Sequence, residues 1–245
     1  MRSVDPCAAF DRRGVSETIG FVLVFGIVVS TVAVVYVGGF DALTSARDAQ
    51  QFGNTERAFD VLDSNVEDLA VRGAPSRTTE ILLSDGAIVF GDPVTFNVTA
   101  GGQNYYTTTI RPVVYHADDG DSIVYVNGAV FRQYDDRAVM FDEPRLATGN
   151  RTLVPYVITR AASTNVSTDN TRRLLVRTSA TDRAVRTFTN TSANLTITSP
   201  RAPAWQQYLE AELGTTCTGT ATTVDCRLPG DDVYVQALVV KVALG

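Results

Sequence analysis

The chain has 245 residues, is 20% charged with a formal net charge of −6, and carries one histidine, His116, and one lysine, Lys241. Its length suits one anchor and one good-sized domain. The acidity, with no basic stripe to neutralise phosphates, excludes nucleic acid as a partner, and a single histidine leaves little from which to build acid–base machinery.

Residues 1–14 read as a leader, with Arg2, Arg12 and Arg13 set against Asp5 and Asp11. A small polar cluster follows, Ser16, Glu17 and Thr18, and then an uncharged, almost wholly apolar run over 19–40, IGFVLVFGIVVSTVAVVYVGGF. About 20 such residues suffice to cross a bilayer as a helix. A helix apolar all round calls for lipid or for a bundle of like helices. The arginines before the run hold that end in the cytoplasm, which puts everything beyond Phe40 outside the cell. A secretory signal has an apolar region of about 7–15 residues and a small-residue cleavage site. This run is longer, and Gly38-Gly39-Phe40-Asp41 offers no such site. A cut between Gly14 and Val15 instead discards the charged leader and keeps the helix, glycine leaving the backbone open to a peptidase. Within the run, Gly26, Ser30 and Ala33 form a strip of small residues that lets neighbouring helices approach closely.

Arg12-Arg13-Gly14, Val15-Ser16-Glu17-Thr18-Ile19-Gly20 and the apolar helix after them resemble the start of an archaeal type IV pilin-like precursor. The preference for arginine over lysine and the richness in Thr and Asp look haloarchaeal. The resemblance implies a class III leader removed by a prepilin peptidase and helices that pack with those of other pilin-like subunits as a filament core, the subunit resting in membrane lipid before assembly. In bacterial pilins the acidic residue stands at mature position five; Glu17 stands at three. By resemblance, Glu17 is a partner for the new α-amino group of Val15 on its own or a neighbouring subunit. Read from the residues alone, Ser16, Glu17 and Thr18 suit a helix N-terminus, where an acidic side chain meets the dipole favourably.

The helix is expected to run from residue 15 through the membrane half to residue 72, about 85 Å in all at 1.5 Å per residue. Beyond Asp41, Ala42, Ala46, Ala49, Phe52, Phe59, Leu62, Val66 and Leu69 recur at helical spacing, with Arg47, Asp48, Glu56, Arg57, Asp63 and Glu67 off that stripe. Gly73 and Pro75 end it. From residue 78 to 245 the pattern becomes short β-like runs between turns, at 81–83, 88–90, 94–99, 105–110, 123–126, 129–131, 153–159, 174–178, 195–198 and 233–244. Asn127-Gly128 is the strongest hairpin signal. One helix interrupts them: Pro203 sits at its start, Trp205, Leu209 and Leu213 share a face, and Trp205 reads as its core anchor. The expected fold is α+β, a long N-terminal helix followed by an all-β sandwich or jelly-roll-like head.

Cys7 falls in the leader. Cys217 and Cys226 fall in the outer part, where oxidation is permitted, and are expected to form a disulfide. Five N-x-[S/T] sequons, at Asn97, Asn150, Asn165, Asn190 and Asn194, suit the surface loops of an exported glycoprotein. Asn150 and Asn165 stand in the most loop-like surroundings. No nucleophile elbow, phosphate loop or paired C-x-x-C occurs. The carboxylates of Asp118-Asp119-Gly120-Asp121, next to His116, do not match an EF-hand spacing and read as a solvated hairpin tip. Asp231-Asp232 reads as a turn. No catalytic residue, cofactor or metal site is expected. Two functions remain: a non-enzymatic structural subunit, major or minor, of a cell-surface filament, and an uncleaved single-pass surface protein whose β-domain binds a ligand or an envelope component.

Overall fold

The computed structural model describes residues 13–83, 86–118, 120–135, 137–162, 165–168 and 172–245, the side chains of 13–17, 41, 104, 105 and 168 excepted. Residues 1–12, which fall in the expected leader, the Glu17 side chain, Asp119, Ser84 and Asp85 therefore lie outside the described residues. The chain divides into two compact units, residues 1–50 and residues 51–245. The boundary falls inside helix α1 (Arg13–Ala70).

After α1, the second unit continues with strands β1 (Ser76–Leu83), β2 (Gly86–Phe90), β3 (Val94–Ala100), β4 (Gln103–Ile110), β5 (Val113–Ala117), β6 (Ser122–Val126), β7 (Ala129–Tyr134) and β8 (Arg137–Asp142). Then come β9 (Arg151–Ala161), β10 (Val166–Thr168), β11 (Arg172–Phe188), β12 (Ala193–Thr198), helix α2 (Ala202–Leu213), β13 (Thr218–Gly219), β14 (Thr223–Arg227) and β15 (Asp232–Leu244). The α+β reading holds: a long N-terminal helix precedes a β-rich head. Three sheets build that head, in the orders β1-β11-β15-β9, β10-β2-β5-β6-β7-β8 and β13-β14-β12-β3-β4. Among the described residues, all strand pairings are antiparallel except β9 with β15.

Two cores explain the third sheet. One gathers around Trp205, with Phe96, Phe131, Tyr156, Leu209, Val224, Cys226 and Val235. The other takes Phe59, Leu62, Val66 and Leu69 from α1, together with Ile81, Leu83, Tyr115, Ile123, Tyr125, Leu174 and Val240. The six-stranded sheet stands between them. In β6, Ile123 and Tyr125 face the helix side while Val124 and Val126 face Trp205, so all five residues of SIVYV are buried. Strand β15 crosses from one core to the other. Its odd positions Val233, Val235 and Ala237 pack around Trp205, and its even positions Leu238, Val240, Val242 and Leu244 pack under the helix. Period-two side-chain alternation permits this without a bulge in β15.

The apolar stripe of α1 splits at the unit boundary. Phe59, Leu62, Val66 and Leu69 are buried, whereas Ala42, Ala46 and Ala49 are exposed. Polar contacts hold the second half against the sheets. Glu56 pairs with Arg132, whose guanidinium also lies over the Phe52 ring. Asn65 donates to the Thr79 hydroxyl, and Asp68 pairs with Arg77 at 3.1 Å. At the helix C-terminus, the Arg183 guanidinium donates to the Leu69 and Ala70 carbonyls. Those carbonyls belong to the last turn, which has no intrahelical donors of its own. Gly73, at φ +73°, makes the left-handed turn away from the helix.

Candidate functional site

Two features of the chain have the makings of function, one in each unit. The first is the apolar segment of α1. One helix near the N-terminus, Thr18–Ala70, contains an 18-residue window of mean hydropathy 2.6, long and apolar enough to cross a membrane. Every large apolar side chain of 19–40 is open, from Val29 at 49% to Tyr36 at 73%. Valine dominates the run, and β-branched residues are indifferent helix formers in water. An apolar solvent or like helices supply what propensity does not, since a backbone removed from water must bond to itself. The Thr31 hydroxyl donates to the Ile27 carbonyl at 2.7 Å, satisfying itself within the helix. Gly14 and Val15 lie in the first turns of α1. Gly26 and Ser30 are exposed, and a Cβ added at Gly26 would touch nothing within 4 Å.

The second feature is a cavity of about 380 Å³ in the head. One wall is the helix, through Asp60, Asp63, Ser64, Val66 and Glu67. A second is the β6–β7 turn with Tyr125, Asn127 and Gly128. The segment after β8, from Asp142 to Ala147, forms the third. The floor is β9 and β15, through Leu153, Pro155, Val157 and Leu238.

Local sequence explains this shape. The Asn127-Gly128 turn has positive φ at both residues, 55° and 75°, as the tight hairpin demands. Asn127 is buried, 5% exposed, while Gly128 is half-buried, and the Asn127 Oδ1 accepts the Val157 amide at 2.7 Å, fixing the hairpin to β9. A Cβ on Gly128 would lie 3.5 Å from Pro144 and 3.9 Å from Asp63 Oδ1. Pro144 is held in turn by α2, because its carbonyl accepts the Tyr208 hydroxyl at 2.6 Å.

The cavity is electrostatically one-sided. Burial, then the negative charges of Asp142, Glu67 and Asp60, push the Asp63 carboxyl up to about 8; Arg145 opposes them. Asp142 is also raised, by burial and by Asp60. The Arg145 guanidinium pairs with Glu67 at 2.9 Å. Tyr125, 1% exposed, has a hydroxyl without a hydrogen-bond partner. Burial and the negative charge of Asp63 push that hydroxyl up, and the Gly128 backbone amide draws it back down. Among the described residues, no group of three or more His, Cys, Asp or Glu is placed to hold a metal ion.

None of the site residues expected from the sequence lines this cavity. Asp63 and Glu67 were legible only as polar positions off the helical stripe, and Tyr125 only as part of a strand. Elsewhere, Cys217 and Cys226 are joined by a disulfide, buried in the Trp205 core. Trp205 itself is 1% exposed, with Phe96, Phe131 and Tyr208 set edge-on around it. Strands β5 and β6 pair as a hairpin, and the His116 Nδ1 lies 2.8 Å from the Ser122 hydroxyl. Asp231 precedes β15 and Asp232 begins it, its carboxylate 3.8 Å from Arg151.

The sequons divide by position. Asn150, Asn165 and Asn190 are exposed outside strands. Asn97 and Asn194 lie instead in the neighbouring strands β3 and β12, a departure from the surface-loop expectation. The Asn194 amide nitrogen, the atom a glycan would occupy, donates to Asp225 at 2.8 Å.

No curated protein and no solved structure significantly matches the chain. Residues 13–244 match the model of a family of unknown function, DUF7289, and the protein belongs to that family.

Proposed function

We propose that this protein is a type IV pilin-like structural subunit of an archaeal cell-surface filament, anchored through the apolar half of α1 and presenting the β-rich head outside the cell. One observation carries the reading. An uncharged stretch of α1, residues 19–40, is exposed on every side and follows an Arg-Arg-Gly junction by only four residues, so the chain offers a charged leader to remove and an apolar rod to bury. A patch of a few hundred Å² already marks an interaction surface in an ordinary soluble protein, and this one occupies whole helical turns. Lipid covers it before assembly, and the helices of like subunits cover it afterwards. The strip of Gly26, Ser30 and Ala33 supports close helix approach.

Processing by a prepilin peptidase between Gly14 and Val15 separates this reading from that of an uncleaved anchored protein. Gly14→Phe in native cells is expected to leave a precursor about 1.5 kDa heavier in the membrane, from 14 residues at the usual ~110 Da each, and to remove the chain from sheared surface filaments. Filaments containing the uncut variant at normal yield would reject the proposal. Glu17 belongs to the same reading. A carboxylate drawn into a filament core must be paired or protonated, and the α-amine of Val15 is the partner proposed. Glu17→Gln is expected to be processed normally and to enter filaments poorly; normal incorporation would leave Glu17 only a role at the helix N-terminus.

A further inference from the structure

We propose that the cavity beside Asp63 is a binding site for a small organic ammonium ion, with its charged head between Asp63 and Tyr125 and its apolar body against Val66, Val157 and Leu238. The site lies within the head and holds whether or not the chain assembles into filaments.

Two groups point to such a ligand. The Tyr125 hydroxyl is buried without a hydrogen-bond partner and senses the charge of Asp63. Asp63 itself makes no hydrogen bond or ion pair with any described residue. A buried hydroxyl such as that of Tyr125 is nearly always satisfied, whereas Asp63 is half-buried and its carboxyl lines the open cavity. An ammonium group has three donors and no acceptor, and both Asp63 and the phenol oxygen can accept. An anion would meet Asp60, Asp63, Glu67 and Asp142 together. The protein's own cation at this place, Arg145, is occupied by Glu67. A metal ion lacks a ligand set among the described residues, and the predominantly apolar floor suits carbon instead. At about 380 Å³ the space falls within the range of small-molecule sites.

The groups facing Asp63 set a pH dependence. Asp60 and Glu67 come from its own helix, Asp142 and Arg145 from the end of β8 and the segment after it, and Tyr125 from β6. Their net negative charge, with burial, favours a proton on Asp63, and a bound ammonium would displace it. Binding therefore releases a proton and tightens as pH rises through the neutral range.

The test uses the full chain in detergent micelles, in about 1 M salt so that exposed attractions are screened within about 3 Å. Phenethylammonium chloride is titrated calorimetrically, with 2-phenylethanol as its uncharged counterpart. The ammonium is expected to bind at least about tenfold more tightly than the alcohol and more tightly at about pH 8.5 than at about pH 6. Asp63→Asn should erase both differences, and Tyr125→Phe, which keeps the ring, should weaken the ammonium several-fold while leaving the pH trend. Absence of ammonium binding to the wild type overturns the proposal, as does equal binding of the alcohol. Both comparisons need no variant. Undiminished, pH-dependent binding by folded Asp63→Asn would overturn it as well.

Discussion

At neutral pH, burial and neighbouring carboxylates keep a proton on Asp63, and this links the stability of the head to pH. Its folded value of about 8 stands above the ordinary 3.8, so between those values the folded form holds the proton more tightly than the unfolded one. The contribution is complete below about pH 4 and declines as pH rises, levelling off above about pH 8. Asp142, raised by the same surroundings, acts with the same sign. The thermal midpoint of the head is therefore expected to fall by several degrees between about pH 5 and pH 8.5, at about 2–4 °C per kcal/mol for a unit of this size. Asp63→Asn should flatten most of that slope. A midpoint that rises over the interval would contradict the assignment. Gly128 sets a second residue-scale constraint. Alanine there must adopt φ +75° and place its Cβ against Pro144, so Gly128→Ala should cost about 1–2 kcal/mol in denaturant unfolding; an unchanged midpoint would show that the turn can relax.

Elements of this fold differ in how much of them the sequence reveals. The β6–β7 hairpin is legible because Asn-Gly supplies two positive φ angles at a point where apolar runs end and begin. Helix α2 is legible because Pro203 opens it and Trp205, Leu209 and Leu213 share a face; Gly214, at φ +61°, closes it. Strands β5, β8, β10, β13 and β14 were not anticipated. β8 is a sheet edge whose RAVMFD residues stay half open, and β14 (TVDCR) carries two charges among its five residues. Pairing across long stretches of chain was not readable at all. The parallel register of β15 with β9, Tyr234 to Leu153 through Val242 to Ala161, depends on two cores meeting, not on any local signal. The cavity was hidden for the same reason, since Asp63, Tyr125 and Asp142 come together only when the helix, β6 and β8 do. Two elements give direct tests. Phe59→Ala should cost about 3–5 kcal/mol, because the ring projects from α1 into the second core and is fully buried there. Loss of the Cys217–Cys226 bridge should cost about 2–4 kcal/mol, and alkylation without reductant should label neither thiol in the native protein. Labelling of both would remove the bridge from the account.

On the scale of the whole molecule, the chain combines a helix that lacks a covering with a head that supplies its own. Residues 51–245 enclose two cores between three sheets, while the apolar surface of 19–40 remains open. That contrast is what a subunit destined first for lipid and then for a helical bundle requires, and the proposed role stands on the removal of the leader in front of it. The most direct measurement is the N-terminal sequence of the chain recovered from sheared surface material of native cells. The account predicts that it begins at Val15, with residues 1–14 absent; a chain that still begins at Met1 would contradict it.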